Sequence, residues 1–108
     1  MPRHQFSLSV LLFLDDKKWI AHCLEYDIVA QGKTIQSAKE SFEKTFVGQV
    51  VLDIINKRSP LEGISQSPKE IWDMFKDGIK VEEIGSLYVP QEKSSLVSAR
   101  FQDVRIAA

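Results

Sequence analysis

The sequence predicts an α+β domain in which a small antiparallel β-sheet packs against one long helix. Three observations support this prediction. Residues 6–14 alternate apolar side chains at period two, a second apolar stretch follows a short polar segment, and residues 35–54 place apolar side chains at three- and four-residue steps. The chain has 108 residues, 44% of them hydrophobic and 27% charged, which is typical of a single globular domain over residues 1–108.

The first part of the chain predicts a three-stranded meander. Phe6–Leu14 is the first strand, and Asp15–Lys18 is a four-residue polar connection of hairpin length. Trp19–Leu24 is the second strand, and a short third strand over residues 28–30 ends near Gly32. Apolar residues occur on both faces of this meander. An antiparallel sheet with one solvated face should alternate cleanly, so we expect the second face to be covered as well.

A long helix follows the meander and completes a core over residues 6–56. Thr34 is a good N-cap, but a serine, Ser37, occupies the position of the acidic residue in a capping box, so we expect the box to be incomplete. The helix should extend to about Asn56. Gly48 lies inside it and costs about 1 kcal/mol relative to alanine. Close packing against another backbone would justify this glycine, and a tolerated imperfection is the alternative.

Residues 59–108 form a C-terminal extension of this core. Ser67 and Pro68 provide a cap and a first-turn proline for a short helix over residues 68–77. Partial alternation of apolar residues predicts a final strand at about residues 97–106.

Composition restricts the class of function. The formal net charge is −1 and neither half of the chain is strongly basic, so composition provides no electrostatic footprint for nucleic acid. A single cysteine excludes an internal disulfide framework and fits a reducing cytoplasm. The apolar stretch near the N-terminus lacks a small-residue cleavage site and is far shorter than the roughly 20 residues that span a bilayer. We therefore expect a cytoplasmic protein without a membrane segment.

The sequence contains no pattern that indicates a catalytic, cofactor or metal site. His22 and Cys23 are neighbours on a strand, so their side chains point to opposite faces and cannot act as a pair. Asp15 and Asp16 are typical of a solvated turn. The spacings of a zinc site and a glycine-rich phosphate loop are both missing from the sequence. We expect a protein that is not an enzyme and that uses no cofactor.

Three segments in the first half resemble a known family. They are Trp-Ile-Ala-His-Cys-Leu-Glu at 19–25, Ile-Val-Ala-Gln-Gly-Lys-Thr-Ile at 28–35, and Ala38 in the helix. Together they make residues 6–50 similar to the HicB-like antitoxin domain. The resemblance implies a partial ribonuclease H-like fold with a final strand at the sheet edge. It also implies a non-enzymatic protein that binds a small HicA-like, mRNA-cleaving toxin and blocks its active site.

The second half departs from that family. Family members often end in a DNA-binding helix-turn-helix or ribbon-helix-helix, whereas residues 59–108 contain one convincing helix and are slightly acidic. DNA binding is therefore not expected. The apolar second sheet face predicts a homo-oligomer, a dimer or a larger even-numbered assembly. We expect its interface, or that of a toxin, at Trp19 and Ala21 on the sheet and at Trp72 and Phe75 on the short helix, although each suits an ordinary core position equally well.

A different class of function stays open, an orphan RNA-binding or regulatory module of the same fold without a toxin partner. The basic residues near the sheet are Arg3, Lys17, Lys18 and Lys33. An RNA complex formed by these residues would weaken as salt increases.

Overall fold

The computed structural model describes residues 4–81 and 97–107 and confirms the α+β class. In chain order the elements are β1 (His4–Asp15), β2 (Lys18–Cys23), β3 (Val29–Gly32), α1 (Ile35–Ile55), α2 (Lys69–Lys76), β4 (Ile79–Lys80) and β5 (Val97–Ile106). The strands form one five-stranded sheet in the order β3-β2-β1-β5-β4. Neither helix in the described ranges combines the length and the apolar composition needed to cross a bilayer.

The sheet is mixed, so the prediction of an antiparallel sheet is wrong for the pairing of the C-terminal strand β5 with β1. β5 runs parallel to β1, from the pair His4 and Val97 to the pair Leu12 and Ile106. Parallel neighbours need a crossover connection, and α1 lies in the segment that joins these two strands. β5 is also not an edge strand, because β4 pairs with its outer side in antiparallel orientation.

A two-residue turn joins β1 to β2. Asp16 and Lys17 both adopt left-handed backbone conformations, with φ of 47° and 66°. Asp15 pairs with Lys18 directly beside the turn. This is the geometry of the primed hairpin turns, whose twist matches that of the flanking strands. The predicted four-residue connection is therefore two residues shorter, and both strands extend into it.

The main core lies between α1 and one face of the sheet. Its centre is aromatic: the Phe42 ring lies 6.0 Å from that of Phe101 on β5, and the Phe46 ring meets that of Phe6 edge-on at 5.9 Å. Such edge-on and tilted arrangements contribute beyond the buried area alone. The fully buried members of this core, each at most 2% exposed, are Leu8, Val10, Leu12, Ala21, Cys23, Ala38, Phe42, Phe46, Val50, Leu61, Val97 and Val104.

The first turn of α1 corrects one prediction. The Ser37 amide donates to Thr34 Oγ1 at 3.0 Å, and the Thr34 amide donates to Ser37 Oγ at 3.0 Å. The capping box is therefore complete, because a serine hydroxyl accepts the return hydrogen bond as a glutamate would. Gly48 packs against nothing: a Cβ built on it meets no atom within 4 Å. Within the described chain, close backbone packing does not explain this glycine.

A buried carboxylate links the end of α1 to the loop that follows. Asp53 is 4% exposed and accepts three hydrogen bonds: from the Leu61 amide at 2.8 Å, from Arg58 Nη2 at 3.2 Å and from Gln49 Nε2 at 3.1 Å. Leu61 is itself buried and has φ of 66°, a conformation that a branched side chain disfavours. Asp53 therefore holds a strained loop residue in place beneath the core.

α2 covers part of the second sheet face, as the apolar pattern of that face predicted. Phe75 packs with Leu11 and Leu24 in a smaller core, flanked by Ile71 and Trp72. The helix begins one residue later than predicted and has Pro68 as its N-cap residue. The Ser67 hydroxyl does not cap it, because that group donates to the Cys23 carbonyl at 2.6 Å.

Candidate functional site

The four residues predicted for an interface do not form one surface. Ala21 is fully buried beneath α1, and Trp19 is partly buried against the same core. Trp72 and Phe75 lie on α2, on the opposite face of the sheet, and Phe75 is only 8% exposed there. Of the four, Trp72 is the residue that borders an open groove.

This groove, called the α2 groove below, has a volume of about 370 Å³ and is lined by Gln66, Ser67, Lys69, Trp72, Asp73 and Lys76. Along its rim Lys69 Nζ lies 2.9 Å from Asp73 Oδ2. The hydrogen bond from Lys69 lowers the pKa of the Asp73 carboxyl below its usual value. The groove therefore combines an aromatic wall with a charged rim, a pattern common in sites that bind another macromolecule.

The Trp72 indole N–H is the unusual group in this groove. Its Nε1 atom is shielded from solvent and has no hydrogen-bond acceptor among the residues that the structure describes. An unsatisfied buried donor costs about 1–3 kcal/mol. Because the atom is enclosed, an acceptor on a bound molecule would remove that cost only if the indole turned toward the groove; tryptophans that line a binding surface often dominate binding energies.

A hydrogen-bond network ties the groove to the sheet. His22 Nε2 lies 2.8 Å from Asp27 Oδ1, and the same oxygen lies 3.2 Å from the Ser67 hydroxyl. The Ser67 amide donates to the Leu24 carbonyl at 2.9 Å. The carboxylate stands between serine and histidine, so the histidine does not reach the hydroxyl as catalytic triads require. The network positions the start of α2 and one wall of the groove.

Sequence reasoning missed this network because its members lie far apart along the chain. Ser67 follows Asp27 by 40 residues and Cys23 by 44. The local pattern around Ser67 is that of a helix cap, and only the tertiary structure reveals that its hydroxyl has another partner.

The Cys23 side chain is buried in the main core and does not line the groove. Burial raises the pKa of its thiol to about 12. Glu25 lies beside it, with Oε1 at 3.7 Å from Sγ, and the same oxygen accepts the Ser9 amide at 2.7 Å. Ser9 borders the register shift between β1 and β5, so Glu25 satisfies a backbone group at that irregularity. The thiol is protonated and enclosed, which makes it a poor nucleophile.

Three of the four predicted RNA contacts lie together. Lys17 and Lys18 are exposed at the β1–β2 hairpin, and Lys33 is exposed where the chain leaves β3 at Gly32. The β2–β3 register brings the hairpin and Lys33 to the same end of the sheet. Two aspartates in the same hairpin offset much of this positive charge. Arg3 lies outside the described residues.

Within residues 4–81 and 97–107, no group of three or more histidine, cysteine, aspartate or glutamate side chains is arranged to hold a metal ion. No protein-family model, curated protein or solved structure shows a significant match to this chain.

Proposed function

We propose that this chain is a HicB-like, non-enzymatic protein that binds and neutralises a small HicA-like, mRNA-cleaving toxin. The resemblance of residues 6–50 implies a partial ribonuclease H-like fold, a small sheet with a long helix across one face. The meander β1–β3, with α1 packed on one face and β5 added to the sheet, supports that assignment. The segment from Gln66 to β4 is an addition to this plan and contains the α2 groove.

The observation that carries the proposal is the half-buried Trp72 that lines the open α2 groove, with an indole N–H that has no acceptor within the described chain. Ser67, which also lines the groove, already bonds to Asp27 and to the Cys23 carbonyl, so it holds the groove rather than performs chemistry. A partner that packs on the indole would cover the groove, and a turn of the ring would bring its N–H to a carbonyl of that partner. Binding of this kind needs no catalytic group on this chain.

The test is to isolate the chain with its partner from the native host. We expect a basic protein shorter than about 100 residues in stoichiometric amount, with ribonuclease activity that appears when the two are separated. One equivalent of the purified chain should then abolish mRNA cleavage. A preparation that contains this chain alone, without a partner, would contradict the proposal.

A pair of variants assigns the surface. Trp72→Phe keeps an aromatic ring, though a smaller one, and removes the N–H, and we expect it to weaken inhibition about tenfold. Met74→Ala is the matched control, because Met74 is a partly exposed residue of α2 that does not line the groove. Equal inhibition by both variants would show that the toxin binds elsewhere.

The second candidate function is an orphan RNA-binding or regulatory module without a toxin. The proximity of Lys17, Lys18 and Lys33 at one end of the sheet favours it. RNA affinity should then fall steeply as salt increases, and replacing the three lysines by glutamine should reduce that salt dependence. No affinity at low salt would remove this candidate.

We place the protein in the cytoplasm. Its single cysteine, Cys23, is a buried free thiol, which suits a reducing compartment.

A further inference from the structure

β3 is an edge strand whose outer side is open. Within the described chain its only strand neighbour is β2, and Val29 is 46% exposed. The Cys23 amide donates to the Ile28 carbonyl at 3.0 Å, which marks this as the position of a hydrogen-bonded pair, although the Ile28 amide donates to the Tyr26 carbonyl at 2.6 Å. Such pairs alternate along an antiparallel ladder, so Ala30 directs its backbone groups toward β2. Val29 and Gln31 therefore direct both their amides and their carbonyls away from the sheet.

The open edge is limited to these residues. At one end the Asp27 amide already donates to the Ser65 carbonyl at 2.8 Å, so the loop before α2 closes the edge there. At the other end the chain leaves the sheet at Gly32, which lies so close to α1 that an added Cβ would meet Ser37 Oγ and the Ala38 amide. Among the residues that the structure describes, the amides and carbonyls of Val29 and Gln31 remain without a partner, two donors and two acceptors.

We propose that β3 is the dimer interface, at which a second copy of this chain pairs antiparallel with it about a twofold axis at Ala30. In this register Val29 lies opposite Gln31 of the partner subunit, and Gln31 lies opposite Val29 of the partner subunit. Both are hydrogen-bonded pairs, so all four open backbone groups are satisfied. A register shifted toward Asp27 would compete with Ser65, and one shifted toward Lys33 would need residues beyond the end of β3.

The side chains around this axis are self-complementary. Asp27 lies before the open edge in the chain and Lys33 lies after it. The twofold axis therefore brings Asp27 near Lys33 of the partner subunit, and Lys33 near Asp27 of the partner subunit. The Asp27 side chain is 43% exposed, and its hydrogen bonds to His22 and Ser67 both use Oδ1, which leaves Oδ2 for a lysine. At the axis, two alanines meet without like charges or bulk. The interface is isologous and uses the β3 edge of both copies, so pairing through β3 closes at a dimer.

This inference goes beyond the proposed function, because it requires neither a toxin nor RNA. It also assigns self-association to residues other than Trp19, Ala21, Trp72 and Phe75.

Cross-linking tests the register directly. Ala30→Cys places two thiols across the axis in a non-hydrogen-bonded pair, the closest kind of strand pair, and mild oxidation should yield a disulfide-linked dimer. Gln31→Cys is the matched control, because position 31 lies opposite Val29 of the partner subunit. The two introduced cysteines are therefore separated by two residues along the strand pair. We expect cross-linking at least about tenfold faster at position 30 than at 31. Equal rates, or no cross-link at position 30, would overturn the register.

Self-association tests the interface independently. The wild-type chain should sediment as a dimer at about 100 µM. Gln31→Pro removes an outward amide that the chain itself does not use and should give a folded monomer, whereas Gln31→Thr keeps the amide and should stay dimeric. Lys33→Glu should weaken the dimer about tenfold and reduce its salt dependence. A monomeric wild type, or a Gln31→Pro variant that remains dimeric, would overturn the proposal.

Discussion

Replacing Asp53 by alanine should lower the free energy of unfolding by about 2–4 kcal/mol. Most of this loss comes from the Leu61 amide, which is buried and whose 2.8 Å hydrogen bond to Asp53 would disappear. Leaving such a donor unsatisfied costs about 1–3 kcal/mol. The ion pair with Arg58 adds less than about 1 kcal/mol, because the arginine side chain is 51% exposed and screened by solvent.

The measurement is urea denaturation of the wild type and three variants, each followed by circular dichroism. Asp53→Asn keeps an oxygen for the Leu61 amide and should lose only about 1 kcal/mol. Arg58→Ala removes the exposed partner alone and should lose less than about 1 kcal/mol. The reasoning fails if Asp53→Ala costs no more than Arg58→Ala, or if the asparagine variant is as unstable as the alanine variant.

Four further changes follow from the same structure. The thiol of Cys23 has a pKa of about 12 in the folded chain against 9.0 for an ordinary thiol, so the unfolded chain releases this proton first as pH rises. The free energy of unfolding of the wild type, relative to that of Cys23→Ala, should therefore fall by about 1.4 kcal/mol per pH unit between pH 9 and 12. Below pH 9 the difference between the two proteins should not depend on pH. Urea denaturation of both proteins at each pH measures this difference. Lys17→Gly should raise stability by about 0.5–1 kcal/mol, because glycine adopts the left-handed turn conformation without strain; an unchanged denaturation midpoint would contradict this. Gly48→Ala should raise stability by about 1 kcal/mol, since the new methyl group meets nothing, and a lower midpoint would instead indicate an unrecognised close contact. Trp72→Phe removes an unsatisfied N–H but also part of a ring that packs against the smaller core, so the stability of the isolated chain should change by less than about 1 kcal/mol while partner binding weakens; a loss above about 2 kcal/mol would show that ring packing outweighs the buried donor.

Local sequence patterns predicted the elements whose formation depends on residues close together in the chain. The strands β1, β2, β3 and β5 follow from apolar periodicity, and α1 follows from periodicity and the Thr34 cap, whereas the two-residue strand β4 was not predicted. The pairing of β5 with β1 joins residues such as Ser7 and Arg100, which lie 93 positions apart, and no local pattern specifies whether such a pair is parallel. The two-residue turn at Asp16 and Lys17 was not predicted either, because neither residue is the glycine that is typical of such turns.

The candidate site was predicted only in part, for a related reason. Trp19, Ala21, Trp72 and Phe75 were all selected as apolar residues, but the pattern does not show which face each element buries. Phe75 fills the smaller core, whereas Trp72, three residues before it, reaches the groove. Ser67, just before α2, bonds to the Cys23 carbonyl and to Asp27, so the place where α2 begins on the sheet depends on residues 40 or more positions away.

The parallel β1–β5 pair has a consequence for how this protein is made. β1 is synthesised first among the described strands and β5 last. β1 lies in the interior of the sheet, and it lacks its neighbour β5 until nearly all of these residues have left the ribosome. Contacts of such long sequence separation raise contact order and slow folding. The meander and α1 can assemble during synthesis, but the aromatic core stays open until Phe101 arrives. The sheet is therefore completed only after β5 has left the ribosome, and until then the open edge of β1 is the region that a chaperone would need to protect.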